Sequence, residues 1–137
     1  MRLQLTRRGD YAVRAMFALS ALAPGEVLSA RTMAEAVTIP TRFVTAVLGD
    51  LRRAGLVQAR PGRTGGYRLA RPADAITLLE IIEAVEGDSR RTTCVLLDGA
   101  CRTASDGQCA VHRFFFAAQE ALLSELREAK LSELRAG

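Results

Sequence analysis

Apolar residues recur at three- and four-residue intervals in three successive stretches near the start of the chain. This spacing predicts amphipathic helices over residues 10–22, 30–37 and 41–54, with Ser29 as the N-cap of the second helix. The third helix has a narrow apolar stripe that we expect to be buried, formed by Val44, Val47, Leu48 and Leu51. Two short helices joined by a tight break, after a first helix, predict a helix-turn-helix core.

A hairpin is predicted directly after the third helix. Residues 56–60 and 67–70 form two short strand-like runs, and a glycine-rich, arginine-bearing tip over residues 61–66 connects them. A helix-turn-helix followed by a hairpin is a winged helix. The predicted fold class is therefore mainly α, a winged helix-turn-helix domain with a two-stranded wing plus a long C-terminal dimerisation helix.

The second half of the chain predicts two further helices. Thr77 and Glu80 have the spacing of a capping box, which opens a fourth helix that ends at Gly87. A long helix is predicted over residues 110–129, followed by a short final helix. Its apolar sector includes three consecutive phenylalanines and is wider than one core contact needs. We expect a symmetric homodimer through this helix, and the alternative is a helix folded flat onto its own core.

This pattern divides the chain into a winged helix-turn-helix domain over residues 1–87, a cysteine-rich loop over 88–109, and the dimerisation helix with the short C-terminal helix over 110–137. No apolar run approaches the length of a membrane span, and the N-terminus lacks the apolar segment of a secretion signal. The odd number of cysteines disfavours a disulfide framework. These features predict a cytoplasmic protein with no membrane partner.

The net charge of +4 conceals a division between the two halves. Residues 1–71 carry twelve arginines and four acidic residues, whereas residues 72–137 carry seven basic and eleven acidic residues. Such asymmetry indicates a polyanionic partner for the first half, and the alternative is arginine that merely solvates the surface. Between residues 41 and 71 there are seven arginines and one acid, Asp50, which favours double-stranded DNA as the partner.

The third helix and the wing carry the candidate DNA contacts. The N-terminal end of such a helix reads base edges, where arginine can bind guanine and threonine can contact phosphate or a base. An arginine at the wing tip can enter a narrow minor groove. The predicted DNA-binding residues are Thr41, Arg42, Thr45, Arg52, Arg60, Arg63 and Arg68.

All three cysteines and the single histidine lie within nineteen residues. Cys94, Cys101 and Cys109 are separated by six and seven residues, and His112 follows Cys109 by about one helical turn. Three thiolates and an imidazole suit zinc or an iron–sulfur cluster, and a loop cysteine can also act as a redox thiol. The lack of a tight cysteine pair disfavours zinc. For His112, a backbone hydrogen bond at the helix start is the alternative role.

The sequence does not indicate an enzyme, since it has one histidine, no recognisable carboxylate pair and no phosphate-binding Gly-Lys-Ser/Thr loop. A small electron-transfer protein is the alternative to a DNA-binding protein. That alternative predicts weak, salt-insensitive DNA binding, whereas binding through phosphate contacts weakens steeply as salt rises.

Several motifs carry a wider resemblance: Met1-Arg-Leu, Asp10-Tyr-Ala-Val-Arg, Leu51-Arg-Arg-Ala-Gly-Leu-Val, Arg60-Pro-Gly-Arg-Thr-Gly-Gly-Tyr and Ile76-Thr-Leu-Leu-Glu. With the three loop cysteines before the long helix, they make the chain similar to the IscR/NsrR-type family of bacterial winged-helix iron–sulfur regulators. The resemblance covers nearly the whole length. It implies a homodimer that binds a palindromic operator, as a repressor, under the control of a cluster that senses redox state, nitric oxide or iron–sulfur supply.

The resemblance also implies the cluster ligands. Cys94, Cys101 and Cys109 match the three cluster cysteines of the family. His112 matches the histidine that completes a two-iron cluster in IscR-type members, whereas Asp10 resembles an aspartate that the other subunit supplies to a four-iron cluster in NsrR-type members. Both cysteine gaps are longer than the family's commonest spacing, so the two candidates stay in competition, and we favour His112 with a two-iron cluster. A cluster-free regulator of the same fold, using zinc or redox-active thiols, is the alternative.

Overall fold

The computed structural model describes residues 3–90 and 109–136 of the chain. This part is mainly helical and contains a two-stranded antiparallel sheet. Two short 3₁₀ turns, Ala73–Ala75 and Glu133–Ala136, accompany the longer elements. Those elements are α1 (Arg7–Ser20), α2 (Ala30–Val37), α3 (Thr41–Arg53), β1 (Val57–Arg60), β2 (Gly66–Leu69), α4 (Leu78–Glu86) and α5 (Ala110–Glu128). The predicted fold class, a winged helix-turn-helix with a two-stranded wing and a long final helix, is confirmed.

Helix α1 is displaced toward the N-terminus relative to its prediction. It begins at Arg7 rather than at Asp10, because the Thr6 hydroxyl accepts a hydrogen bond from the Gly9 N–H at 3.1 Å and so caps the helix earlier. The helix ends two residues before its predicted end, because the N–H groups of Ala21 and Leu22 donate to carbonyls three residues earlier, as in a 3₁₀ turn. The Thr6 cap therefore sets the start of α1, and the tighter hydrogen bonds set its end.

Helices α1, α2 and α3 pack around one apolar core. The four residues of the predicted α3 stripe are buried, each with at most 2% of its surface exposed. Met16 of α1 and Met33 of α2 are fully buried in the same cluster. Burying one such apolar side chain contributes about 1.5–3 kcal/mol, so this contact dominates the stability of the unit. The turn between α2 and α3 passes through Thr38, which has a left-handed backbone with φ 56°.

The wing is attached to the helical core by a backbone bridge. Its strands pair antiparallel, with Arg60 opposite Gly66. The Leu28 N–H donates to the Tyr67 carbonyl at 2.9 Å, and the Tyr67 N–H donates to the Leu28 carbonyl at 2.8 Å. Gly66 is required beside this bridge, because a Cβ there would lie 2.7 Å from the Leu28 carbonyl. The sequence pattern did not predict the bridge, since a single residue pair produces no alternating run.

The end of the chain folds back onto α4. The Leu78 N–H donates to the Ala129 carbonyl at 2.9 Å, and the Leu131 N–H donates to the Ile76 carbonyl at 2.9 Å. Leu131 is fully buried in the core, and within α5 the buried residue is Leu123. The C-terminal half of α5 therefore packs on its own chain, while the other half stays largely exposed. The three-part division of the chain stays a prediction.

The predicted capping box opens α4. The Thr77 hydroxyl accepts the Glu80 N–H at 3.1 Å, and the Glu80 carboxylate accepts the Thr77 N–H at 2.9 Å. Arg71 also donates to this carboxylate at 2.8 Å. Burial raises the pKa of Glu80, but the hydrogen bonds from Arg71 and Thr77 and the attraction to the Arg71 charge outweigh burial. The net result is a pKa below the ordinary glutamate value of 4.5.

Replacing Glu80 with glutamine tests this balance, because glutamine keeps a capping oxygen but loses the charge. A carboxylate with a lowered native pKa stabilises the fold above its unfolded pKa and loses that contribution as pH falls through its native pKa. We expect urea unfolding to show Glu80→Gln less stable than wild type well above pH 4.5, with the difference fading below it. Glu128→Gln, at an exposed position, is the control. A difference that persists at low pH would contradict the assignment.

Candidate nucleic-acid interface and metal ligands

The N-terminal half of α3 presents polar residues to solvent. Thr41, Arg42 and Thr45 are all exposed, whereas the stripe that alternates with them is buried. The Arg42 guanidinium lies 4.7 Å from the centroid of the Phe43 ring, a cation–π contact that holds the charge beside the helix. The Thr45 hydroxyl donates to the Thr41 carbonyl at 3.0 Å. The predicted base-reading residues thus share the exposed start of α3.

The single acidic residue of the basic region is neutralised. The Asp50 carboxylate pairs with the guanidinium of Arg8 in α1 and with that of Arg53 in α3. Its side chain is only 13% exposed. Arg52, predicted to contact DNA, is exposed beside this group. Asp50 therefore leaves the surface around α3 positive and links the helix to the start of α1.

The three wing arginines have different surroundings. Arg60 Nη2 donates to the Thr64 carbonyl at 2.8 Å, which braces the turn of the hairpin. Arg68 Nε donates to Gln58 Oε1 at 3.2 Å across the two strands. Arg63 is exposed at the tip and forms no ion pair with any residue in the described ranges. Arg63 is thus the wing charge most available to a polyanion, while Arg60 and Arg68 also shape the wing.

Arg8 is a candidate functional residue that sequence reasoning missed. It lies 42 positions from Asp50 in the chain, and its contact positions α3, the predicted recognition helix, against α1. The available signal was the basic pair formed with Arg7 just before the first helix. That signal does not identify a partner, because pairing over such a separation depends on how the helices pack.

The candidate metal ligands that lie in the described ranges occupy two places. Cys109 is half-buried at the N-cap of α5, its side chain makes no capping hydrogen bond, and His112 follows one turn later. The His112 ring stacks on Phe116 with 6.2 Å between centroids. Asp10 pairs with Arg14 at 3.1 Å on α1. Considering the described part of one chain, these side chains do not gather into a group of three around a metal position.

The two remaining predicted ligands, Cys94 and Cys101, lie outside the described residues. The chain leading toward them is anchored to α4 and α5. The Ser89 N–H donates to Glu83 Oε1 at 3.0 Å, and the Arg90 guanidinium pairs with the Glu120 carboxylate at 2.9 Å. Residues 89 and 90 are thereby tied to both helices.

A trihelical core with an arginine-bearing wing defines the chain as a winged-helix protein. The sequence profile of the Rrf2 family, described as an iron-dependent transcriptional regulator, matches residues 5–137. The chain therefore belongs to the Rrf2 family, and the resemblance inferred from its motifs is confirmed. In the described part of the chain, no helix has both the length and the apolar character needed to cross a membrane.

Two curated relatives carry names of transcriptional regulators rather than of enzymes. IscR of Cereibacter sphaeroides is 40% identical over 86 residues, which are 61% of this chain and 56% of that protein. An HTH-type transcriptional regulator of Mycobacterium tuberculosis is 36% identical over 85 residues, 62% of this chain and 53% of that protein. The chain thus spans little more than half the length of these relatives.

Solved structures share the fold. CymR of B. subtilis, described as its global cysteine regulator, superposes with a TM-score of 0.83 at 24% identity and covers 98% of each chain. IscR of T. potens gives a TM-score of 0.75 at 24% identity, covering 98% of this chain and 87% of that one. The oxidized form of Staphylococcus aureus CymR gives 0.74 at 23% identity, covering 96% and 95%.

Replacing Arg63 with alanine tests the wing. We expect DNA affinity to fall by about 1–3 kcal/mol, the usual contribution of a well-placed arginine contact, as measured by fluorescence anisotropy with operator DNA. Arg127→Ala, which removes an exposed charge from the far end of α5, is the matched control and should bind as wild type does. If Arg63→Ala binds DNA with unchanged affinity at several salt concentrations, the wing tip does not contact DNA.

Proposed function

We propose that this chain is a homodimeric, DNA-binding transcriptional repressor whose operator affinity is controlled by an iron–sulfur cluster. One observation carries the proposal: the exposed start of α3 and the exposed Arg63 of the wing belong to one packed unit, and Asp50, the one acid between residues 41 and 71, is paired with two arginines. We expect such a surface to attract the phosphates of DNA. The family's description as an iron-dependent transcriptional regulator supports the same function.

In this proposal, α3 enters the major groove and the wing lies along the neighbouring minor groove. Arg42 and the two threonines at the start of α3 then face base edges, while Arg52 faces phosphate. Arg63 enters the minor groove, where the electrostatic potential of a narrow stretch is most negative. Since Arg60 and Arg68 hold the hairpin in shape, their main contribution is the position of Arg63.

The exposed half of α5 supports a second copy of the chain as partner. Val111, Phe114, Phe115 and Leu122 are each at least 39% exposed and recur at helical spacing. Such a large apolar face is rare on a monomer and suits a two-fold interface, where the same face serves both subunits. Two recognition helices would then meet half-sites about 34 Å apart, or a multiple of that, on a palindromic operator.

The donor set is chemically suited to an iron–sulfur cluster. Cys109 and His112 lie one turn apart at the start of α5, and we propose that they act with Cys94 and Cys101. We favour His112 over Asp10 because His112 lies one turn from Cys109 on the same helix, whereas Asp10 would have to come from the other subunit and pairs with Arg14 on α1. A two-iron cluster is the form we favour. When bound, such a cluster supplies redox chemistry and iron–sulfur bonds that nitric oxide or oxidants attack.

The anchoring of α5 provides the route from the cysteines to DNA. The C-terminal half of α5 is fixed to its own core through Leu123 and the backbone around Ala129. A change in the ligand state of Cys109 and His112 would therefore act on the free N-terminal half, which also carries the proposed dimer face. The direction of that half sets the spacing of the two recognition helices. Spacing in turn decides whether both half-sites are bound at once.

A cluster-free regulator that uses zinc or redox-active thiols is the second candidate. It is favoured by the likeness to Staphylococcus aureus CymR, which has been solved in an oxidized form. Cys109 is half-buried and its side chain makes no capping hydrogen bond, so this thiol also suits zinc binding or thiol oxidation. A small electron-transfer protein is less well supported, because it provides no role for the wing or for the neutralised Asp50.

A spectrum of anaerobically purified protein separates the two candidates. For wild type we expect visible absorption from sulfur-to-iron charge transfer. Because thiolates are the ligands of such clusters, we expect Cys101→Ala to lose this absorption. Its thermal unfolding midpoint should change little. Ser105→Ala, in the same segment, is the matched control. A Cys101→Ala protein that keeps the spectrum would exclude Cys101 as a ligand. A colourless wild-type protein that contains zinc or free thiols would favour the second candidate.

A charge placed on the exposed face of α5 tests the dimer. Phe114 is 66% exposed within one chain, so Phe114→Asp should leave the fold intact while putting an unpaired charge into the subunit interface. We expect sedimentation equilibrium to give a dimer for wild type and a monomer for Phe114→Asp. Arg127→Asp, near the fixed end of the same helix, should remain dimeric. A dimeric Phe114→Asp protein would place the interface elsewhere.

A further inference from the structure

The last residue of α4 contacts the first turn of α1. Glu86 Oε1 accepts a hydrogen bond from the Thr6 N–H at 2.9 Å, and it also accepts one from the Thr6 hydroxyl. Eighty positions of sequence separate the two residues. The contact therefore joins the start of the described chain to the point where α4 ends.

The contact is continuous with the capping of α1. The Thr6 hydroxyl donates to Glu86 and accepts the Gly9 N–H at 3.1 Å, so a single hydroxyl serves both roles. The carboxylate of Glu86 consequently lies at the positive end of the α1 helix dipole, where a negative charge is stabilised. Loss of Glu86 would remove both a bonded partner of the N-cap and this charge.

Gly9 provides the room that the carboxylate occupies. It lies inside α1 and is buried, and a Cβ built on it would overlap Glu86 Oε1. Its backbone is helical, so no unusual φ requires glycine there. Alanine would favour the helix more than glycine does, but its Cβ would force the Glu86 carboxylate to move, so glycine permits the contact in its observed geometry.

Both ends of the contact lead to functional groups of the proposed repressor. On one side, Arg8 in the same turn of α1 pairs with Asp50 of the recognition helix. On the other side, Gly87 turns the chain with φ 83°, and Arg90 is then tied to Glu120 of α5. Polar contacts joined by short stretches of backbone thus lie between α3 and residue 90, which precedes the cysteine-bearing segment.

We propose that Glu86 and Thr6 are positioning residues that transmit the chemical state of the cysteines to the recognition helix. A shift of the chain after Gly87 moves Glu86 at the end of α4, and Glu86 then moves the first turn of α1 and, through Arg8, the Asp50 end of α3. This inference rests on the proposed function. The proposed function already includes a change in the spacing of the two recognition helices between subunits. The contact between Glu86 and Thr6 would add a second path to α3 within one subunit.

The test measures operator affinity in three states of the protein. These are protein treated anaerobically with ferrous iron and sulfide, metal-free reduced protein, and metal-free oxidised protein. The variants are Glu86→Ala, Gly9→Ala and their combination, with Glu128→Ala as the control on an exposed part of α5. Gly9→Ala is informative because it removes no functional group and adds a good helix former, while displacing the Glu86 carboxylate. Glu86→Gln keeps an acceptor oxygen and should have an intermediate effect.

For wild type we expect the affinities of at least one pair of states to differ by about tenfold, which lies within the usual range of allosteric coupling. In Glu86→Ala and in Gly9→Ala, the ratio of the affinities of those two states should fall to within about twofold of unity. In the combined variant the ratio should fall no further, because both changes break the same contact. Glu86→Ala should have a modestly lower thermal unfolding midpoint than Glu128→Ala, because it removes the N-cap partner and the charge at the helix end, but every variant should stay folded at the temperature of the binding assay.

Three results would overturn the inference. If both variants keep the wild-type ratio, the contact does not transmit the signal, and the proposed regulation stands without it. If the effects of the two changes add in the combined variant, each acts separately on stability and the shared contact is not responsible. If wild type binds equally in all three states, the proposed control of DNA binding is itself wrong, and the contact loses its role with it.

Discussion

Burial of one side of α3 against α1 and α2 positions both the exposed start of that helix and the arginines that pair with Asp50. Four aliphatic side chains of this helix leave water against α1 and α2, and each contributes about 1.5–3 kcal/mol. Because the helical period is fixed, the residues between them have to face solvent. That is sufficient to place Thr41, Arg42 and Thr45 on one exposed surface, and no other interaction is needed to expose them. The same packing brings Arg8 of α1 to Asp50, so the energy that folds the core also neutralises the one acid of the basic region.

Two of the three wing arginines have a structural role in addition to their predicted role in DNA binding. Arg60 and Arg68 each have a hydrogen-bond partner within the hairpin, and the backbone of Tyr67 is bonded to Leu28 ahead of α2. These bonds fix the hairpin to the core in a defined direction. The wing tip is thereby carried by the same rigid unit as α3, which is what simultaneous contact with two grooves requires.

Helix α5 serves two purposes along its length. Its C-terminal half is fixed by Leu123 and by the chain that returns through Leu131 to the core. Its N-terminal half carries Cys109 and His112 together with exposed phenylalanines. The proposed ligands and the proposed subunit interface therefore lie on one stretch of helix. In the proposed mechanism, a chemical change at the ligands has a short path to the interface, and the anchored half is the fixed reference against which the other half would move.

The sequence was sufficient to predict the elements whose signals are local. The period of apolar residues and the Ser29 cap placed both ends of α2, and the Thr77–Glu80 spacing located the start of α4. It also identified the basic start of α3 and the exposed tip of the wing as candidate DNA contacts, because charge and helix period are properties of neighbouring residues. The start of α1 was misplaced, since the Thr6 cap precedes the apolar period. The tertiary structure decided which arginines are engaged, how the wing is attached through Leu28, and that Glu86 meets Thr6 eighty positions away. Such contacts depend on the packing of distant elements, and no local pattern of residue types encodes which distant groups will meet.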